Sequence, residues 1–308
     1  GRTTRFLVVL ARMDRYAVHI VAPSCRRFAR RCRASRRLTE AICGRAIPLT
    51  EPTAPADEGA GQEQFDLAHW RRSTDLLDLE DSRLRLRARA LTQLCKSDRE
   101  RALAVYGFVK RMPFAKPFKM RLRTAREVLD AGQGDAPDKA TALVALLRLA
   151  GLPARLHYYL LRGEILRGIT STLASAARPV AEIWLDGHWV CTDTYIFDAT
   201  YVAAARQRLK DAGWDWGYGI HTKAHTLWNG KDDAYLGGVA PDKDEMVISD
   251  FGVFDEPQAY VNSATYQNNH TRLTRAVHWN MLAPTMDKVA RELRDDFGPS
   301  AAGSKKPS

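Results

Sequence analysis

A buried helix followed by a strand is the strongest constraint that this sequence places on its fold. Segment 132–156 reads GQGDAPDKATALVALLRLAGLPARL. Apolar residues occupy nearly every face of a helix predicted over residues 137–150, and a helix that is apolar all round lies inside a protein. Gly151 ends this helix, and Pro153 prevents its continuation. The residues that follow, ARLHYYLL, have the aromatic-rich composition of a β-strand.

The start of the buried helix carries an unusual residue. Pro137 suits the first helical position, because its missing N–H would have no partner there, and Ala136 is then the predicted N-cap. A cap residue normally supplies a side-chain oxygen to a free backbone N–H, and alanine forgoes about 1 kcal/mol by lacking one. The methyl group at position 136 therefore needs an explanation other than helix capping.

A β-hairpin is predicted downstream, over RPVAEIWLDGHWVCTDTY at 178–195. Two alternating stretches flank Asp186 and Gly187, the dipeptide favoured in a two-residue type I′ turn. Side chains two residues apart share a face, so Arg178 and Asp193 lie on the same face, at diagonal positions of the two strands. The same register pairs Leu185 with His188 and Trp184 with Trp189.

Helices are also predicted on both sides of these elements. The segments DSRLRLRARALTQLC and SDRERALAVYGFVKRM have apolar residues at helical spacing, and Ser97 with Glu100 forms a capping-box pattern. A shorter helix, TAREVLDAG, has Thr124 as its cap and Gly132 as its stop. A closing helix begins at Pro284.

The net charge of +11 is concentrated at one end of the chain. Residues 1–46 hold twelve arginines and no lysine against two acidic residues, whereas the remaining 262 residues hold 35 basic and 34 acidic groups. A nucleic-acid site needs its basic surface on the folded domain, so no nucleic-acid partner is expected for that domain. The longest apolar run near the start is six residues, at 6–11, far short of a membrane span.

Composition divides the chain into four parts. Residues 1–45 form an Arg-rich leader, and three alternatives stay open for it: a non-folded leader or misplaced start, a helical extension, or an anion-binding segment. Residues 46–64 are a Pro- and Gly-rich linker. Residues 65–297 are the folded domain with a C-terminal extension, and residues 298–308 are a disordered tail.

Cysteine and histidine usage predicts neither disulfides nor a metal site. Five cysteines show no C-x-x-C pair, which favours a reducing compartment and a cytoplasmic location. His221 and His225 are four residues apart, but the neighbouring glycines predict extended chain there, and no third ligand accompanies them. No metal or other cofactor is therefore predicted.

Taken together, the Gly-Asp-x start of the buried helix, the following LLRLAGLPARL and the hairpin EIWLDGHWVCTD resemble the transglutaminase-like superfamily, within the papain-type thiol fold. The resemblance covers about residues 85–200. It implies an α+β fold in which a buried helix packs on an antiparallel sheet. It also implies the chemistry of a thiol protease, amidase or acyltransferase.

The resemblance assigns three positions to catalysis. In that family a cysteine heads the helix, a histidine lies four residues before the glutamate of the first strand, and an aspartate ends the second strand. In this sequence they fall on Ala136, Arg178 and Asp193, so only the aspartate is kept. A thiol at a helix N-terminus has a lowered pKa, a histidine takes its proton, and a carboxylate orients the imidazole. Ala136 thus stands at the nucleophile position and Arg178 at the base position.

The resulting hypothesis is a catalytically inactive domain, a pseudoenzyme that binds a peptide or protein ligand. The helix N-terminus can still hold an anion or a carbonyl oxygen, and Arg178 adds a fixed positive charge. The alternatives are an active enzyme that uses a displaced nucleophile such as Cys191, a base at another position such as His188, or an engineered inactive variant. An engineered trap requires replacement of the cysteine alone, so the double replacement favours natural loss.

We expect that removing residues 1–60 leaves the melting temperature nearly unchanged, because the few apolar residues there are scattered among twelve arginines. The measurement is thermal unfolding of the full chain and of the shortened chain under one buffer condition. A decrease of many degrees would show that the segment docks on the domain.

Overall fold

The computed structural model describes residues 67–269, 280 and 283–296. All of them fall within one unit, Ala56–Ser308. The predicted leader, linker and C-terminal tail lie outside the described residues, and so do residues 1–60, whose removal is predicted to leave the melting temperature nearly unchanged.

A four-stranded antiparallel sheet forms one layer of the domain, in the order β3-β2-β1-β6. Strands β2 and β3 form the predicted hairpin, with Leu185 opposite His188 and Trp184 opposite Trp189. Strand β1 lies between β2 and β6 and pairs with both. The strands are β1 (Ala154–Arg162), β2 (Ser175–Leu185), β3 (His188–Thr192) and β6 (Val247–Phe254).

Helices cover one face of this sheet. The predicted helices before the buried one are present as α1 (Ser82–Thr92), α2 (Asp98–Arg111) and α3 (Ala125–Ala131). Thr124 caps α3 in a full capping box, whereas Ser97 caps α2 with its own hydroxyl alone, because the Glu100 carboxylate accepts from the Lys96 N–H instead.

The buried helix α4 (Ala136–Leu149) lies at the centre of the domain. Eleven of its fourteen residues are buried, including the charged Asp138, Lys139 and Arg148. The predicted cap at Ala136 is wrong by one residue: Asp135 is the N-cap, Ala136 begins the helix and Pro137 follows it. Proline is tolerated at either of the first two positions, because neither N–H has a partner within the helix.

The rest of the described chain folds around the start of α4. The extended chain expected near Gly217 and Gly219 is a two-stranded ribbon, and the closing helix expected from Pro284 begins one residue earlier. The elements are α5 (Ala199–Ala212), β4 (Trp216–Gly217), β5 (Ile220–His221), α6 (Pro257–Asn262), α7 (Ala264–Asn269) and α8 (Ala283–Asp295), with short 3-10 turns at Gly163–Leu166 and Pro241–Lys243.

Arg148 joins the far end of α4 to three other segments. Its side chain has no solvent exposure, and its guanidinium donates two hydrogen bonds to the Ala154 carbonyl, one to the Arg72 carbonyl and two to Asp255. Burial lowers the pKa of Arg148, and the charge of Asp255 opposes that shift. A single side chain therefore satisfies several buried carbonyls where α4, β1 and the end of β6 meet.

We expect Arg148→Met to lower the free energy of unfolding by about 3–5 kcal/mol, since it leaves buried carbonyls and Asp255 without their donor. The measurement is urea unfolding followed by circular dichroism. The control is Arg89→Met on the exposed face of α1, where we expect a change within about 0.5 kcal/mol. Equal effects of the two substitutions would contradict this role for Arg148.

Candidate functional site

The start of α4 is held by a cluster of buried charges. The Asp135 carboxylate accepts from the Asp138 N–H, and the Asp138 carboxylate accepts from the Asp135 N–H, which completes a capping box. Lys116 Nζ donates to Asp135 at 2.8 Å, and Lys119 Nζ donates to Asp135 at 2.7 Å and to Asp138 at 3.0 Å. Arg123 contacts the other oxygen of Asp138 at 2.7 Å. Three cations therefore surround these two carboxylates, and a third carboxylate, that of Asp287, accepts from the Lys116 N–H.

These contacts leave one helix-end donor free. Pro137 has no N–H, and the N–H groups of Asp135 and Asp138 are taken by the capping box. The Ala136 N–H has no hydrogen-bond partner within the described part of the chain. If an anion binds at this helix end, the one free backbone donor for it is therefore the Ala136 N–H, which lies beside two lysines.

The diagonal positions of Arg178 and Asp193 predict an ion pair in which the guanidinium forks onto the carboxylate with two parallel hydrogen bonds. The structure contains the ion pair, with Arg178 Nη1 and Asp193 Oδ2 3.3 Å apart, but the predicted fork is wrong, because each partner also binds another group. Arg178 Nη2 donates to the Gly219 carbonyl at 2.6 Å, and Asp193 Oδ1 accepts from the Leu236 N–H at 2.7 Å. The pair therefore ties the hairpin to two loop segments.

Asp193 is almost completely removed from water, at 1% exposure. Burial raises the pKa of this carboxyl above its ordinary value, while the Arg178 charge and the Leu236 N–H oppose the rise. Its charged form depends on these partners, since an isolated buried carboxylate would take up a proton instead.

Ala136 and Arg178 line the same cavity, of about 210 Å³, at the start of α4. Lys116, Lys119 and Asp135 contribute the charged part of its wall. The remaining wall is almost entirely apolar, with contributions from Leu161, Ile165, Phe197, Tyr260, Val261 and Met286. Asp193 does not line this cavity and lies behind Arg178, at a second, smaller cavity. The structure thus brings Ala136 and Arg178 to one site, with Asp193 supporting Arg178 from behind.

Cys191 lies outside this site. It pairs across the hairpin with Glu182 and contributes to neither cavity wall described above. Burial, together with the charges of Asp233 and Glu182, raises the pKa of the Cys191 thiol to about 12. A thiol that stays protonated at neutral pH is a weak nucleophile.

The histidines on and beside the hairpin do not line the cavity that contains Ala136 and Arg178. His188 is exposed beside the turn, and its ring contacts the Asp186 carbonyl. His157, which the sequence did not single out, lies between Glu182 at 2.8 Å and Asp250 at 2.6 Å. Hydrogen bonds to both carboxylates raise the pKa of His157, against the opposing effect of burial. It clamps β1 to β2 and β6.

The residues that the structure describes contain no group of three or more His, Cys, Asp or Glu side chains placed to hold a metal ion. None of their helices combines the length and the apolar character needed to cross a bilayer.

Comparison with known proteins agrees with the pattern of motifs. Residues 85–194 match the model of the transglutaminase-like superfamily. The sequence matches no curated protein. Two similar solved structures are a candidate cysteine protease from Cytophaga hutchinsonii (15% identity, TM-score 0.34) and a candidate protease from Parabacteroides distasonis (16% identity, TM-score 0.29). Each similarity covers 41% of this chain, and they span 40% and 25% of those two chains.

We expect Arg178→Met to lower the free energy of unfolding at pH 7 by about 3–5 kcal/mol, because Asp193 is left as an uncompensated buried charge. The pKa of Asp193 then rises further above its unfolded value of about 3.9. A carboxyl whose pKa is higher in the folded state than in the unfolded state makes the folded protein less stable as pH rises. The difference in unfolding free energy between the variant and the unaltered protein should therefore shrink as pH falls toward 4. Urea unfolding across this pH range measures both effects.

The controls separate this buried pair from ion pairs in general. Adding Asp193→Asn to Arg178→Met should recover part of the loss at pH 7, because the buried charge is removed. Arg121→Met breaks an exposed pair with Glu127 and should cost no more than about 1 kcal/mol. A deficit in Arg178→Met that does not change with pH would contradict this account of the pair.

Proposed function

The chain carries a transglutaminase-like region at residues 85–194, and we propose that this region is a pseudoenzyme: it binds a peptide or protein ligand without reacting with it. The binding site is the cavity at the start of α4, where Ala136 stands at the nucleophile position and Arg178 at the base position. Asp193 is the member of the catalytic set that the chain keeps.

The observation that carries the proposal is the Arg178–Asp193 pair. A general base must be unprotonated before it can accept a proton, and a guanidinium stays protonated at all ordinary pH values. Asp193 is already committed to Arg178 and to the Leu236 N–H. The Asp193 carboxylate, which would orient an imidazole in an active enzyme, thus orients the permanent positive charge of Arg178. Such a charge can hold an anionic or carbonyl group of a ligand, but it cannot accept a proton.

The surroundings of Ala136 support the same conclusion. An alanine methyl group has no lone pair for covalent catalysis, and Cys191, the one thiol on the nearby hairpin, does not line the cavity and has a raised pKa. His188 is exposed beside the turn and does not line the cavity. Among the described residues, no thiol lines the cavity with an adjacent imidazole.

The test restores both missing groups. We expect the natural sequence to show no hydrolysis or acyl transfer on peptide, amide and ester substrates, and Ala136→Cys/Arg178→His to gain a reactive thiol. Site-resolved iodoacetamide labelling, read by mass spectrometry between pH 5 and 9, should show residue 136 reacting at lower pH than Cys191. The matched control is Ala136→Cys/Arg178→Ala, which has the thiol without the imidazole and should react more slowly at neutral pH.

Each outcome bears on the proposal. Turnover by the natural sequence that survives Cys191→Ser would overturn the inactive assignment. Turnover abolished by Cys191→Ser would replace it with an enzyme that uses the displaced thiol. A thiol at residue 136 that reacts no faster with the imidazole than with alanine at position 178 would show that these positions do not form a catalytic pair.

A further inference from the structure

The cavity at the start of α4 combines two features that belong to one kind of ligand. Most of its wall is apolar, so a ligand that fills it gains by burying apolar surface. One end holds the two lysines Lys116 and Lys119 beside Ala136. An apolar body with a single negative charge at one end matches this division.

Two hydrogen-bond donors at the charged end of the cavity still have capacity to bind a ligand. An ammonium group has three donors, and Lys116 Nζ makes one described hydrogen bond, to Asp135. The Ala136 N–H is free within the described residues and lies at the positive end of a fourteen-residue helix. A carboxylate has two oxygens that accept hydrogen bonds, so it can take one from each of these groups.

Tyr158 gives an independent reason to expect a ligand oxygen. The residue lines the same cavity at 3% exposure, and its hydroxyl has no hydrogen-bond partner in the described structure. Burial raises the pKa of Tyr158 well above its ordinary value, so the phenol stays neutral. A buried hydroxyl without a partner costs about 1–3 kcal/mol, and a neutral phenol can donate to an oxygen of a ligand.

The cavity volume limits the size of the apolar body. A cavity of about 150 Å³ holds benzene, so about 210 Å³ accommodates roughly eight to ten non-hydrogen atoms. That is the size of a medium-chain fatty acid, or of the last residue of a peptide when that residue is a large apolar one.

Resting on the proposed function, we infer that the ligand of this cavity is an apolar monocarboxylate, with its carboxylate at the Ala136 N–H and Lys116 and its apolar body against the cavity wall. Tyr158 is then a positioning residue whose hydroxyl turns to a ligand oxygen. Two sources offer this chemistry: a free fatty acid and the C-terminus of a peptide that ends in an apolar residue.

Isothermal titration of the full chain at pH 7 tests the inference with two matched pairs of probes. The first pair is octanoate and 1-octanol, and the second is Ala-Ala-Phe with a free C-terminus and the same peptide as its C-terminal amide. We expect the charged member of at least one pair to bind about tenfold tighter than its neutral partner, since hydrogen bonds to charged groups are the stronger ones. Preference for the free-acid peptide identifies a peptide terminus, whereas preference for octanoate identifies a fatty acid and overturns the peptide ligand of the proposed function.

Three variants locate the binding. Tyr158→Phe should weaken the preferred probe about three- to tenfold while the melting temperature stays the same or rises, because it removes a buried hydroxyl without a partner. Lys116→Met should remove most of the preference for the charged probe. Lys231→Met, at an exposed position outside the cavity wall, should change neither affinity.

The contrary outcomes are distinct from those of the proposed function. If neither charged probe binds more tightly than its neutral partner, or if Tyr158→Phe and Lys116→Met leave affinity unchanged, the carboxylate assignment is wrong. The inactive assignment would still stand on the absence of turnover. If the chain turns over substrates and also binds these acids at the cavity, the proposed function fails and the ligand assignment remains.

Discussion

The burial of α4 along almost its whole length is the constraint on which the rest of the structure depends. A helix end normally leaves its unpaired N–H and C=O groups to water, and α4 has little access to water at either end. The chain therefore brings charge into the interior: Asp135 and Asp138 at the first turn and Arg148 at the last. Each of these charges requires counter-charges or carbonyls from distant segments. That requirement fixes the loop with Lys116 and Lys119 at one end of α4 and the residues around Asp255 at the other.

Local sequence signals predicted the elements around this helix well. An apolar helix between a proline and a glycine, and two alternating stretches around Asp186-Gly187, depend on neighbouring residues, and both were confirmed together with the register of the hairpin. Because these signals come from neighbouring residues, they did not predict strand β6. Strand β6 is about ninety residues from its partner β1 along the chain, and its pairing shifts register within the strand. Periodicity alone does not reveal such a partner.

The contacts within the candidate site were not predicted from the sequence. The resemblance brought out Ala136, Arg178 and Asp193, and the structure brings Arg178 to Ala136 on one side and to Asp193 on the other. The single bond between Arg178 and Asp193 could not be anticipated, because the competing partners are a carbonyl at Gly219 and an N–H at Leu236, both on irregular segments. The helix cap moved by one residue for a similar reason: Asp135 and Ala136 both precede the proline, and only the fold decides which of them begins the helix.

The second bond of Arg178 has a consequence for how this chain can change over evolutionary time. Because the guanidinium also holds the Gly219 carbonyl, an imidazole placed at position 178 would need to contact Asp193 while leaving that carbonyl without its donor. Under the proposed function, a return to a working thiol site requires changes at positions 136 and 178 together with an adjustment of the loop at Gly219. No single substitution among these restores catalysis, so selection that acts on one substitution at a time favours changes in what the cavity binds.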